Sequence, residues 1–351
     1  MRALVFEAWK TPPTIKDIDK PRPGPGEVLL KVAGAGACHS DVAVYKDFDE
    51  ATAQPQLAPS YVLGHENSGW VEELGDGVQG IEIGAAFLVY GPIGCGRCAA
   101  CSRGEDTYCE NVSSMSYMAS GLGRDGGMAE YVAVPARNLV PLGDADPVAA
   151  APLSDAGLTP YHAIKKALPN LAGGGKSALV IGLGGLGQIG VQILRALTGA
   201  TIIIATDMKP DAMKRAEEAG AVTVPGGPDQ AAQIRELTGG RDVDAAFDFV
   251  GVAPTIALAA SVMALKGRLT VVGIAGGTYE WSFFTTPYES TITNTYWGTI
   301  EDLHEVVAMY KVGQIIPDVE LYAMEDALEA YRKLEAGELS GRAVVVPHMN
   351  K

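Results

Sequence analysis

Through the first 150 residues, apolar side chains come in short runs that glycine, proline and polar residues repeatedly interrupt. Residues 27–32, 69–74, 87–90 and 130–134 read as short strands, and Pro23-Gly24-Pro25-Gly26, Gly91-Pro92 and Gly126-Gly127 mark turns between them. From about Asp155 the pattern changes. Apolar runs at 178–181 and 201–206 predict buried strands, while 187–197 and 211–219 carry helical spacing. Strands at 245–249 and 268–272, with a helix over 254–264, continue the alternation. Such βαβ units predict an α/β, doubly wound parallel sheet beside a β-rich unit. The last fifty residues predict helices over 300–312 and 324–336 and a strand at 343–346.

The 351 residues leave room for about two domains. A formal net charge of -15 argues against nucleic acid or an anionic membrane as partner, because both carry negative charge. The longest apolar stretch, 178–205, is cut by six glycines, Gln188, Gln192 and Arg195, which excludes a membrane helix there. Residues 1–12 carry Arg2, Glu7 and Lys10 with no uninterrupted apolar core, so no signal peptide is expected and the expected location is cytoplasmic.

Gly182-Leu183-Gly184-Gly185-Leu186-Gly187 follows one predicted strand and opens a predicted helix, the context a G-x-G-x-x-G turn requires. The glycines permit a tight turn and close backbone approach to a pyrophosphate, whose charge then meets the helix N-terminus. Asp207 ends the next strand, twenty residues after Gly187, where a carboxylate can accept from the adenosine ribose hydroxyls. An acid there repels a 2′-phosphate and no arginine adjoins it, so NAD is expected rather than NADP. Lys209, a further cofactor-site residue, offsets part of that field.

Of the five cysteines, Cys95, Cys98, Cys101 and Cys109 lie within fifteen residues. An odd total with this density fits metal ligation better than disulfides. Four thiolates suit either tetrahedral zinc or an iron–sulfur cluster, but Cys109 comes late and is followed by Glu110, unlike a bacterial ferredoxin run. Zinc is expected, and four protein ligands leave it no open position, so its role is structural. The fifth, Cys38, sits in Ala37-Cys38-His39-Ser40-Asp41, upstream of Gly64-His65-Glu66. Spacing alone leaves Cys38 as a buried small hydrophobe or a ligand, and His65 as a structural histidine or a ligand. A nicotinamide site nearby favours the ligand reading, since taking hydride from an alcohol also requires removing its proton, which a Lewis-acid zinc assists.

Together with Pro23-Gly24-Pro25-Gly26-Glu27-Val28 and residues 152–161, these motifs resemble the zinc-dependent medium-chain alcohol dehydrogenases, especially bacterial NAD-dependent secondary-alcohol dehydrogenases that reduce ketones. The resemblance runs end to end. It implies a GroES-like catalytic domain over residues 1–153, completed by 299–351, and a Rossmann NAD-binding domain over 154–298. It implies two zinc ions per chain, the catalytic one held by Cys38, His65 and Asp155, where many relatives have cysteine in place of Asp155. Glu66 would stand beside the zinc as a supporting or alternate ligand, and Asp41 would orient a ligand histidine.

By the same resemblance Ser40 relays the substrate proton, although the histidine that continues the relay in many members is Ala43 here. His39 and Arg342 would contact the pyrophosphate, Thr159 the nicotinamide, and Val250, Val272 and Ile274 the cofactor from the sheet edge. Tyr296 and Trp297, with Phe48, Tyr61 and Leu122, would line the substrate pocket. The implied reaction is hydride exchange between NAD(H) and secondary alcohols or ketones, with a primary- or aryl-alcohol enzyme giving aldehydes as the alternative. The partner is a small molecule, and a homodimer or homotetramer is expected.

Overall fold

Ten consecutive residues, Glu27–Gly36, form the longest strand of the protein in the computed structural model, which describes every residue except Ala200, Asn350 and Lys351. Two compact units are present: one of Met1–Ala156, Thr299–Gly313 and Pro317–Lys351, the other of Gly157–Gly298 and Gln314–Ile316.

In the first unit Glu27–Gly36 is central to a seven-stranded sheet. It pairs antiparallel with Glu66–Leu74, Tyr131–Pro135 and Arg342–Val346, and the path ends on Leu139–Pro141 at one side and Val319–Ala323 at the other. Its apolar residues are buried on both faces, so the strand reads as a continuous hydrophobic run rather than an alternation. A second sheet orders Thr14–Asp17, Arg2–Phe6 and Tyr61–Val62. The registers bring Gly36 opposite both Glu66 and Val344. A Cβ on Gly36 would meet Glu66 Oε2 at 1.9 Å, so glycine there makes room for the Glu66 carboxylate.

The second unit has one parallel six-stranded sheet in the order Val222–Thr223, Ile202–Thr206, Ser177–Ile181, Val243–Asp248, Met263–Val271, Thr291–Asn294. This is the doubly wound Rossmann order expected from the alternation. Leu179, Ile181, Ile204, Val243, Ala246 and Leu269 pack with Ile234, Ile256 and Ala259 as its core.

The helix expected over 254–264 stops earlier, at Ala253–Ser261, and Met263 opens the next strand. An apolar run of this length carries no periodicity that separates helix end from buried strand. The helix expected over 324–336 divides into a 3-10 turn, Met324–Asp326, and a helix, Ala327–Ala336, ended by Gly337 at φ 65°. Among the described residues, two helices of eight residues or more were not anticipated. Leu158–Leu171 contains Pro169 near its end, and Gln230–Leu237 is amphipathic only weakly. No helix among the described residues is long and apolar enough to cross a membrane.

Candidate functional site

Three breaks in regular structure bring one buried cluster together in the first unit. Cys38 follows the end of Glu27–Gly36 and precedes the short helix His39–Val42. His65 precedes Glu66–Leu74 and follows Gly64, whose φ of +95° only glycine adopts freely. Asp155 caps the 3-10 turn Ala151–Ser154. Donor atoms of Cys38, His65, Glu66 and Asp155 lie within 4.8 Å of one another, and all four residues are buried. Asp155 Oδ2 stands 3.6 Å from Cys38 Sγ and 3.6 Å from His65 Nε2.

Around them is a layer of supporting contacts. Asp41 Oδ1 lies 2.9 Å from His65 Nδ1, which turns Nε2 toward Asp155 and fixes the tautomer. The Cys38 amide and the Tyr331 phenol donate to Asp41 Oδ2 at 3.1 and 2.8 Å. Arg342 Nε donates to Glu66 Oε2 at 3.0 Å, a second guanidinium nitrogen donates to Oε1, and the guanidinium reaches Asp155 Oδ2 at 4.0 Å. Ser40 Oγ lies 3.2 Å from Cys38 Sγ.

The charges show what the cluster fits. Burial pushes the Glu66 carboxyl up to about 7 while Arg342 pulls the other way. At His65 burial disfavours the charged ring, yet Asp41, Asp155 and Cys38 outweigh it and hold its pKa well above the ordinary value. Three buried carboxylates and a thiol stand against one guanidinium and an imidazole whose charged form they favour, and a divalent cation can take the place of that imidazole proton. The residues therefore fit a divalent metal with mixed N, O and S ligands.

In the lobe, the Sγ atoms of Cys95, Cys98, Cys101 and Cys109 also converge within 4.8 Å, and none is in a disulfide. Here the supports are N–H groups. The Arg97 amide, the Asn111 side chain and the Cys98 amide pull the Cys95 thiol down to about 6, and the Cys101 and Glu110 amides lower that of Cys98. Burial instead pushes Cys101 up to about 12. Arg137 clamps the lobe, holding both oxygens of buried Asp106 at 2.8 and 2.9 Å and the Cys101 carbonyl at 3.0 Å. This soft, tetrahedral-capable set fits zinc.

In the second unit, Gly182 has φ +85° and Gly187 lies so close to the Gly182 carbonyl that a Cβ would sit 1.8 Å from it. Gly184 has no atom within 4 Å of where its Cβ would be, so the turn's outer face is open to an approaching ligand. The helix Gly185–Leu197, beginning with Gly185 and Leu186, aims its N-terminus there. Asp207 accepts from the Leu183 amide at 2.6 Å and the Lys209 amide at 2.9 Å, tying the second strand's end to the turn. The cradle suits a dinucleotide.

The other sequence-derived positions are placed as follows. Thr159 is buried in Leu158–Leu171, Val272 is buried, Val250 is half-buried and Ile274 is exposed. Tyr296 and Trp297 have ring centroids 5.7 Å apart, and Trp297 adopts φ +49°. In the first unit Tyr61 and Leu122 are buried, Phe48 is half-buried and His39 is exposed. Arg342, expected on a pyrophosphate, is 4% exposed with its guanidinium on Glu66. Sequence reasoning missed Tyr331, which lies 290 residues from Asp41 and has no local signal.

Residues 24–144 match the alcohol dehydrogenase GroES-like domain, and residues 185–311 match the zinc-binding dehydrogenase domain. An NAD-dependent alcohol dehydrogenase of Sulfolobus acidocaldarius is 35% identical over 98% of this chain and 99% of its own. The chain belongs to the zinc-dependent medium-chain alcohol dehydrogenase family. Among solved members of this alcohol dehydrogenase fold, the Aeropyrum pernix enzyme superposes with a TM-score of 0.89 at 36% identity, covering 99% of this chain and 100% of that one. The acetophenone reductase of Geotrichum candidum, solved with NAD, gives 0.85 at 32% identity, with coverage of 99% and 97%. A GroES-like unit and a Rossmann unit make up this medium-chain dehydrogenase.

Proposed function

We propose that the protein is an NAD-dependent zinc alcohol dehydrogenase that interconverts secondary alcohols and ketones. The observation that carries this reading is the buried set of Cys38, His65 and Asp155, whose donor atoms converge, with Ser40 beside the Cys38 sulfur. The NAD-dependent alcohol dehydrogenase of Sulfolobus and the acetophenone reductase of Geotrichum support the alcohol, ketone and NAD parts.

A zinc bound by these three residues supplies Lewis-acid polarisation of the substrate oxygen, and bound NAD supplies the hydride acceptor. Ser40 accepts the proton of the substrate hydroxyl as its own hydroxyl proton passes to water. Ala43 has no polar side-chain atom to carry it, so no side chain at that position shares in the relay. Asp41 keeps His65 in the tautomer that offers Nε2. Arg342 engages both oxygens of Glu66, which reserves ligation for the other three residues. Cys95, Cys98, Cys101 and Cys109 hold a structural zinc, and the turn from Gly182 to Gly187 with Asp207 holds the dinucleotide. Self-association as a dimer or tetramer belongs to the same reading, supported by exposed Trp281, Phe283, Phe284 and Tyr288.

The test is zinc analysis combined with NADH and NADPH consumption on matched linear ketones, aryl ketones and aldehydes. Two zinc per chain with NADH-dependent ketone turnover is expected; one zinc, or turnover of aldehydes only, rejects the reading. Asp207→Ala should weaken NAD binding about 10- to 100-fold, through lost charge-assisted hydrogen bonds, and relax the rejection of NADP. An unchanged NAD to NADP ratio would count against the ribose role.

A further inference from the structure

We propose that Tyr331 is a positioning residue of the buried donor cluster: acting through Asp41, its phenol sets how firmly His65 holds a metal. The inference rests on the reading of Cys38, His65 and Asp155 as metal ligands.

Two helical faces meet here. On Ala327–Ala336, Tyr331 and Glu335 are four residues apart and share one face. Facing them, Asp41 lies on His39–Val42 and Tyr45 on the single π-helical turn Ala43–Asp47 that continues it. The pairs interlock: Tyr331 Oη donates to Asp41 Oδ2 at 2.8 Å, and Tyr45 Oη donates to Glu335 Oε1 at 2.8 Å. Lys46 also reaches Glu335, and the rings of Tyr45 and Tyr331 meet edge to face at 6.3 Å.

The two anchors do different work. Glu335, itself half-buried, holds the far end of the segment through exposed Lys46 and buried Tyr45. Tyr331 is 2% exposed and ends on a carboxylate with no exposure at all, so water does not replace its O–H there. With the Cys38 amide it pins Oδ2, and that leaves Oδ1 aimed at His65 Nδ1. Without the phenol, Oδ2 keeps a single donor and the carboxylate is free to turn off the axis that orients the imidazole. Supports beyond a metal's ligands commonly change affinity by 10- to 100-fold, and one step further out the lower end applies.

The experiment compares the full-length zinc-loaded protein with Tyr331→Phe, which keeps the ring and loses one oxygen. Zinc release to dipicolinate is followed by metal analysis. Release from the donor cluster should accelerate about 10-fold, with release from the four-cysteine lobe and the melting temperature nearly unchanged. Glu335→Ala, which removes only the other anchor, should release at the wild-type rate. Equal rates for wild type and Tyr331→Phe overturn the inference, as does equal acceleration in Glu335→Ala, which would mean helix docking alone. If the wild type holds only the lobe zinc, the ligand reading falls and this inference falls with it, whereas failure of Tyr331 alone leaves two zinc in the wild type.

Discussion

The two donor clusters of the GroES-like unit reach the same density of ligands by opposite routes. The lobe draws four identical thiols from one stretch between Cys95 and Cys109, and their supports are mostly N–H groups of the same stretch. The second cluster draws a thiol, an imidazole and carboxylates from Cys38, His65, Glu66 and Asp155, and its supports include side chains from as far away as Arg342 and Tyr331. A short loop closes around a cation at small entropic cost, whereas distant ligands must be placed by a folded scaffold. The lobe can therefore spend all its positions on holding a metal. On the proposed reading the scaffolded cluster leaves one position for substrate.

If that contrast is right, damage to the scaffolded cluster should show as lost chemistry. Asp155→Ala should lose one zinc of the two and lower turnover by about 1000-fold or more, since several kcal/mol of charge stabilisation disappear. Two zinc and full activity in that variant would break the comparison at once. Damage to the lobe should show as lost stability instead. Cys101→Ser should release the lobe zinc, keep the other, and lower the melting temperature by roughly 10 °C, read by calorimetry beside metal analysis. Loss of both metals together would mean that the clusters are not independent.

The smallest effect tests a long-range support of the lobe. Arg137→Ala leaves Asp106 buried without its guanidinium, but Arg137 is partly exposed, so the expected cost is only about 1–2 kcal/mol. Lobe zinc should be released faster to a chelator while release from the Cys38 cluster is unchanged. No change in lobe release would assign Asp106 and Arg137 to packing alone.

How much of this was legible depended on range along the chain. The lobe and the turn from Gly182 to Gly187 could be read directly, because their ligands or phosphate-facing amides are neighbours in sequence and their geometry is local. The alternation of strands and helices likewise announced the parallel sheet. Boundaries were less legible: apolar residues 262–264 serve a buried strand as well as a helix end, and a helix carrying Pro169 gave no clean period. Trp297 at φ +49° is also a tertiary outcome, since an aromatic residue enters that region only when surrounding packing holds it there.

The amino-acid order by itself determined the soft-ligand lobe, the glycine turn and the acid at Asp207, since each depends on spacing within one or two elements. Only the tertiary structure decided that Glu66 faces Arg342, that Gly36 clears space for that carboxylate, and that a phenol 290 residues away holds Asp41. The physical reason is the sheet. Its register sets Glu66 and Val344 opposite Gly36, and no pattern along a single strand records which strand lies beside it.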